Sequence, residues 1–345
     1  MIQNTPEKVN LLSLFEQLYE VPKVEIDPIK SIPLSQISKR DEIWDNHRTD
    51  THKVAQIYAQ NAEFERLGER MGFCSSWLLF GYDDALRLKQ APFCRVRGCP
   101  VCQWRKSLRW KAMMYDVYDK LKQEYPTHRW LFLTLTAKNC PINELRDTLG
   151  AMNTAWQRLI KRKEFSSVMG WIRTTEVTRD TKHPNTHAHP HFHAILLVKP
   201  SYFKGGNYIK QMDWVRVWGE CMRVNYLPNV DIRTVRPRKQ GDDPVKSAIV
   251  ETLKYAVKPS DMIGDETAPA MDWFYEYTRQ VHKLRFVASG GVLKNALKPQ
   301  DDITHQEMIA PDGEQDLTEQ TDKRRLNFTY YPTHRKYIYN PKYNQ

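Results

Sequence analysis

The sequence predicts an α+β fold, an antiparallel sheet layered with helices. Three observations support this. Apolar, β-branched runs of strand length interleave with segments of helical periodicity. Two of those runs, 170–178 and 188–198, are joined by a short polar connection, as in an antiparallel hairpin. Prolines close several of the periodic segments.

Taken in order, residues 1–50 are polar and proline-punctuated, and only 11–18 suggest a short helix; weak order is expected there. From His52 to about Met71 the spacing of Val54, Ile57, Tyr58, Ala62, Phe64 and Leu67 predicts one amphipathic helix. Residues 73–104 hold four of the six cysteines. Ser107 to Tyr125 reads as a helix ended by Pro126. Trp130 to Thr136 is apolar and β-branched, a strand. Pro141 to Arg162 is a helix with Leu145, Leu149, Met152, Trp156 and Leu159 as its stripe. The hairpin 170–198 follows, then a helix over Asp213–Tyr226 and a strand over Asn229–Val235. Ser247 to Lys258 is a helix stopped by Pro259. Residues 301–322 are acidic and expected to be flexible, and the end mixes Tyr with basic residues. The resulting division is 1–50 weakly ordered, 51–125 helical and metal-stapled, 126–300 catalytic, and 301–345 a tail.

The 345 residues suffice for two modest domains or one large one with extensions, and 41% are hydrophobic, enough for a sizeable core. The formal net charge of +11 points to a polyanionic partner, with nucleic acid ahead of an anionic membrane surface. No apolar run approaches the roughly 18 residues of a membrane span, and the N-terminus lacks an apolar signal core. In a long chain of cytosolic character, clustered cysteines read better as metal ligands than as disulfides.

Two clusters carry chemistry. Cys94, Cys99 and Cys102 form C-x4-C-x2-C, and Cys74 is the natural fourth ligand. Four thiolates suit Zn²⁺ and leave no open position, so such an ion would be structural; free or redox thiols are the alternative. Arg95, Arg97, Arg105, Lys106 and Arg109, with Trp104, surround this cluster and suit DNA backbone binding, or simply a solvated basic face. Cys140 and Cys221 read as buried thiols.

In the second cluster, His191 and His193 flank Phe192 on one strand and so share a face. Glu176 on the preceding strand reaches the same face if the two pair, and a carboxylate with two imidazoles suits Mg²⁺ or Mn²⁺. His189 has the same parity and is a further candidate; His183 and His187 read as exposed loop residues. On the helix after residue 247, Glu251 and Tyr255 are i and i+4 neighbours, with Lys258 on the same side. A tyrosine oxygen can attack phosphorus, a nearby carboxylate can activate water, and a lysine can grip a phosphate. Taken alone, that helix motif is common in proteins without such a role.

Phe132-Leu-Thr-Leu-Thr136, His191-Phe192-His193 and Tyr255-Ala-Val-Lys258 resemble the three ordered motifs of plasmid rolling-circle replication initiators of the HUH endonuclease superfamily. The resemblance spans about residues 70–300 and includes the Cys94–Cys102 knuckle with Trp104 and Arg105, and Arg285–Leu293 as the family's C-terminal strand and turn. It implies a central antiparallel sheet of about five strands flanked by helices, with the His pair on a central strand and a zinc-knuckle extension before it. It implies Tyr255 as the single catalytic tyrosine, His191, His193 and Glu176 as ligands of the catalytic metal, and Glu251 as the activator of a terminating water. Its expected partners are a plasmid origin with a hairpin and single-stranded nick site, and a host helicase and polymerase; a dimer is left open. A single-tyrosine transposase or relaxase, and a non-enzymatic zinc-containing DNA-binding protein, are the competing readings. The order of motifs, His pair before tyrosine, disfavours the relaxase.

Overall fold

The computed structural model describes residues 32–82, 86–236, 243–253, 264, 267–312 and 324–339. Tyr255 and Lys258 lie outside the described residues, as do the short helix expected over 11–18 and the part 313–322 of the stretch 301–322 expected to be flexible; its described part holds a helix at His305–Ile309 with Ile303, Met308 and Ile309 buried.

The strands are β1 (Trp77–Tyr82), β2 (Leu86–Gln90), β3 (Arg129–Thr136), β4 (Cys140–Pro141), β5 (Val168–Arg179), β6 (His187–Val198), β7 (Val230–Thr234), β8 (Val287–Gly291), β9 (Arg324–Tyr331) and β10 (Lys336–Tyr339). The longer helices are α1 (Ile43–Ala59), α2 (Glu65–Gly72), α3 (Pro100–Glu124), α4 (Leu145–Leu159), α5 (Gln211–Met222), α6 (Pro244–Thr252), α7 (Ala268–Gln280) and α8 (His305–Ile309). The fold is α+β, with antiparallel sheets flanked by helices. It divides into two compact units: Met1–Arg109 with Met262–Met271 and Thr304–Gln345, and Trp110–Asp261 with Asp272–Ile303.

In the first unit, β10-β9-β1-β2 form a four-stranded antiparallel sheet. Two expectations are corrected here. Residues 34–37 and 39–50 are helical around an extended Ser38, and α1 starts at Ile43 with Trp44 and Asp45 already buried. The C-terminal residues 324–339 are sheet, with Phe328 and Tyr337 fully buried. The single helix expected over His52–Met71 is two. A turn at Asn61 breaks it: Asn61 Oδ1 accepts from the Glu63 amide at 3.0 Å, and the Phe64 amide donates to the Asn61 carbonyl at 2.8 Å. After the turn α2 packs back on α1 at Gly68, where a Cβ would stand 2.8 Å from the Ala55 carbonyl.

The second unit is built on the strand order β7-β3-β6-β5-β8, with the short β4 also pairing β6. β3, β5 and β6 fall within two residues of the sequence reading at each end, and β6 is central as the resemblance implies. β8 supplies the fifth strand; Gly291 at its end has φ +62°, and a Cβ there would stand 2.0 Å from the Met169 carbonyl. One sheet face is the core. Phe192 points into it, 6.3 Å from Trp156 of α4 and 6.4 Å from Trp218 of α5, ring to ring. Arg173 lies on that face too, its guanidinium 4.0 Å from the Phe192 ring centre. By strand alternation the other face carries Thr134, Thr136, Glu176, His191 and His193. Helix α6 lies over this second face. It begins at Pro244, three residues earlier than expected, because the Asp243 carboxylate accepts from the Val245 and Lys246 amides at 3.0 and 3.2 Å.

Candidate active site

The antiparallel register sets Glu176 opposite His191, and Thr174 opposite His193. Glu176 Oε2 lies 3.0 Å from His191 Nε2 and 2.7 Å from His193 Nε2. All three residues offer ligand atoms within 4.8 Å of one another, so this group could hold a metal ion. Partner chemistry orients the rings. His191 Nδ1 is 3.2 Å from the His189 carbonyl, which can only accept, so Nδ1 carries the proton. In the neutral ring the lone pair is then on Nε2 and faces a carboxylate oxygen that is also an acceptor. Two acceptors at that distance repel unless a proton or a cation lies between them. Burial pushes the Glu176 carboxyl up, but the hydrogen bonds and charges of His191 and His193 prevail and hold it far below the usual carboxylate range. The site therefore presents an anionic oxygen beside two oriented imidazoles, a donor set suited to a divalent cation.

The second ring nitrogen of His193 meets Thr134 Oγ1 at 3.2 Å, from the neighbouring strand β3. A longer chain orients His189. Asn139 Nδ2 donates to Asp180 Oδ1 at 2.6 Å, which leaves Asn139 Oδ1 to accept from His189 Nδ1 at 2.6 Å. Burial and the charge of His191 lower the His189 pKa. His189 is not in the three-residue ligand group. His183 is exposed as expected and pairs with Asp180 at 3.0 Å, whereas His187 is half-buried.

Apart from Thr134, these side chains line one cleft of about 1030 Å³. Glu251 of α6 lines it as well, which brings together the metal group and the candidate water activator. Helix α6 is held there by buried Val245, Ile249 and Thr252, and by the Thr174 hydroxyl, which donates to the Thr252 carbonyl at 2.6 Å. Lys138, Arg179 and Lys182 line the cleft beside the carboxylates of Glu176, Asp180 and Glu251, and exposed Lys138 and Lys182 can meet an anionic substrate.

The four cysteines of the first unit also converge. Sγ of Cys74 is 3.5 Å from those of Cys99 and Cys102, and Cys94 is 3.7 Å from Cys102. A tetrahedron with metal–sulfur bonds of about 2.3 Å has edges of about 3.8 Å. The separations match that geometry and far exceed a disulfide bond. The Arg95 amide donates to Cys102 Sγ at 3.3 Å and the Cys102 amide to Cys99 Sγ at 3.5 Å, as a thiolate knuckle requires. Burial drives the Cys74 and Cys94 thiols well up, while at Cys99 hydrogen bonds from the other three outweigh burial and hold it well down. This group too could bind a metal ion. Cys140 and Cys221 are buried free thiols, as expected.

The basic residues around the knuckle divide. Arg95 is exposed and Arg97 half-buried. Arg105 and Lys106, expected on a DNA-facing surface, are buried, at 7% and 1% exposure. The Arg105 guanidinium donates to the Met308 and Ile309 carbonyls at 2.6 and 2.8 Å and lies over Trp44 and Trp104. It ties down the C-terminus of α8, and burial lowers its pKa to about 10. Arg109 pairs with Glu307 at 3.2 Å. Sequence reasoning placed charge near the cluster correctly but could not see the partner carbonyls, 203 residues away. It also missed Thr134, Asn139 and Asp180. Thr134 carries a faint signal as an alternating polar residue in an apolar strand; the other two carry none.

Among the described residues no helix is long and apolar enough to cross a membrane. No solved structure matches the chain to a significant degree. A family model described as "Replication protein", Rep_1, matches residues 85–338. A "Protein rep" of Streptococcus pneumoniae is 34% identical over 264 residues, covering 75% of this chain and 80% of that one. A "Protein rep" of Lentilactobacillus hilgardii is 31% identical over 266 residues, covering 76% and 83%. A "Replication protein" of Staphylococcus aureus is 34% identical over 208 residues, covering 59% and 87%. The match covers well over half of the chain, including β3, β5, β6 and helix α6, so the chain belongs to this family of replication proteins.

Proposed function

We propose that this protein starts rolling-circle replication of a bacterial plasmid in the cytoplasm by nicking one strand at the double-strand origin, as an HUH endonuclease with residues 126–300 as its catalytic domain. The observation that carries the reading is the pair of oriented imidazoles, His191 and His193, converging on Glu176 Oε2 in a cleft shared with Glu251. A metal-stapled knuckle with exposed Arg95 and half-buried Arg97 beside it adds backbone contacts to origin DNA.

Glu176, His191 and His193 would hold Mg²⁺ or Mn²⁺, and Cys74, Cys94, Cys99 and Cys102 would hold structural Zn²⁺. The divalent ion, when bound, supplies positive charge that offsets charge developing on the scissile phosphate. Tyr255, four residues past Glu251 in sequence, is the nucleophile. Its oxygen forms a bond to phosphorus as the bond to the 3′ oxygen breaks. The phenolic proton departs to solvent or a base, and the 3′ oxygen takes up a proton to become the 3′-OH primer. The protein stays joined to the 5′ end as a phosphotyrosine. Lys258 grips the phosphate or favours the phenolate. At termination Glu251 accepts a proton from the water that attacks phosphorus, the bond to the tyrosine oxygen breaks, and the departing phenolate takes up a proton, leaving a free 5′ phosphate. Between nicking and release a host polymerase extends the primer while a host helicase unwinds the duplex.

The test is cleavage, with Mg²⁺ or Mn²⁺, of single-stranded oligonucleotides tiled across the origin of the plasmid that carries the gene. Wild type should leave a covalent 5′ adduct and Tyr255→Phe should not. Cleavage by Tyr255→Phe at the wild-type level overturns the mechanism. Binding without any adduct would instead favour the non-enzymatic DNA-binding protein.

A further inference from the structure

A second pocket lies on the same sheet face as the candidate active site. Its volume is about 330 Å³, and it is lined by Tyr118, Lys122, Tyr125, His128, Arg129 and Arg236, with no acidic side chain in its wall among the described residues. Its floor locates it. Trp130 shares a face with Thr134 and Thr136 on β3, and Leu197 shares one with His191 and His193 on β6. Val245 of α6 lines this pocket, while Glu251 of the same helix lines the catalytic cleft. One short helix therefore separates two openings on one face. The span from His193 to Leu197 is four strand residues, about 13 Å.

Carboxylates stand near the pocket, Glu124 beside Tyr125 and Asp243 and Asp119 beside Tyr118, but they do not pair with its cations. Among the described residues, none of Lys122, His128, Arg129 and Arg236 has an ion-pair partner. Lys122, Arg129 and Arg236 are exposed. Asp243, which accepts from Tyr118 Oη at 3.2 Å, is already engaged in capping α6. Tyr125 is half-buried and meets His128 edge to face at 4.9 Å, so part of its ring remains open to the pocket. Unpaired cations beside aromatic faces are the chemistry of single-strand binding: stacking holds a base of any identity while the cations hold flanking phosphates.

The geometry points to this pocket as a second nucleotide subsite, which holds the single strand a few nucleotides from the phosphate attacked in the cleft. The inference rests on the nicking reading for the strand's origin, but the subsite needs only a single-stranded partner. It positions the strand and touches no reacting atom.

The probe is a set of fluorescein-labelled oligothymidylates of about 4, 8 and 16 nucleotides, read by anisotropy with the full chain and no added divalent ion. The variant is Lys122→Gln, Arg129→Gln, Arg236→Gln, three exposed changes outside the candidate active site. A control triple, Lys161→Gln, Lys163→Gln, Lys199→Gln, removes the same charge elsewhere on the unit. The pocket triple should bind the longest probe about tenfold more weakly, with a log–log salt slope shallower by about 2, at roughly 0.7 per lost phosphate contact. The control should change both far less. Equal behaviour of wild type and the pocket triple at every length, or equal losses in both triples, overturns the subsite. Because no bond is cleaved in this assay, failure of the tyrosine chemistry would leave its result unchanged.

Discussion

The Thr174 hydroxyl donates a 2.6 Å hydrogen bond to the carbonyl of Thr252, 78 residues away in sequence. Thr174 is two residues from Glu176 on the same strand face, and Thr252 follows Glu251. This bond, with the buried face of α6, ties the carboxylate across the cleft to the strand that carries the metal group.

Thr174→Val keeps the shape of that side chain and removes the donor. Among the described residues the Thr252 carbonyl then has no side-chain partner, at a cost of about 1–3 kcal/mol. Urea denaturation should show that loss. Because the metal ligands are untouched, Mn²⁺ affinity should stay within about twofold while hydrolytic release of the covalent adduct slows. A variant as stable as wild type would mean that the helix is held by its apolar face alone.

Thr134 reaches the metal group only through His193 Nδ1, at 3.2 Å. Loss of such an outer partner typically weakens metal binding about 10–100-fold. Thr134→Val should therefore fall in that range for Mn²⁺ by calorimetry, and Glu176→Gln, which removes the anionic ligand itself, should fall further. If Thr134→Ser restores wild-type affinity, the hydroxyl is the cause and not the packing. Unchanged Mn²⁺ binding in Glu176→Gln would remove Glu176 from the ligand set.

What was legible in the sequence follows from how local the cause is. β5 and β6 are adjacent runs with a short connection, so their pairing, and with it the meeting of Glu176 and His191, could be read from strand parity. The Cys-x-x-Cys knuckle was legible for the same reason. The sheet of the first unit was not: β1 finds its partner in β9, where exposed Arg324 and Arg325 and buried Phe328 and Tyr330 become strand only once Trp77–Tyr82 is beside them. Arg105 shows the limit most directly. Its position among basic residues suggested a DNA contact, but it stacks on Trp44 and Trp104 and satisfies two carbonyls at the end of α8. Charge is visible in a sequence, and the burial of that charge is not.

For the cysteine group, the sulfur separations of 3.5–3.7 Å predict one tetrahedral metal per chain. Elemental analysis should find about one zinc, and Cys99→Ser should lose it. Burial around Cys74 and Cys94 opposes thiolate formation, so the cation is what stabilises the ionised cluster. Chelation should therefore lower the melting temperature, with Cys99→Ser melting like the chelated wild type. Purified protein without metal and with an unchanged melting curve would exclude the site.

His52 makes the first unit sensitive to acid. Its ring is 6% exposed on α1, and burial with the nearby Arg48 charge lowers its pKa from 6.5 to about 4. From β9 the Tyr330 ring faces it at 6.5 Å and is neutral in this range. Between the two pKa values the unfolded chain binds a proton that the folded chain does not, so stability rises with pH there. Read downward, stability is complete above about pH 6.5 and is lost as pH falls toward 4, by up to roughly 3 kcal/mol. Urea midpoints at pH 7 and pH 5 should therefore differ more in wild type than in His52→Gln, which has no proton to gain. The variant should be less stable at pH 7, where the neutral imidazole packs well, and the gap should narrow at pH 5. A gap that stays constant between the two pH values would mean that His52 titrates alike in the folded and unfolded chains.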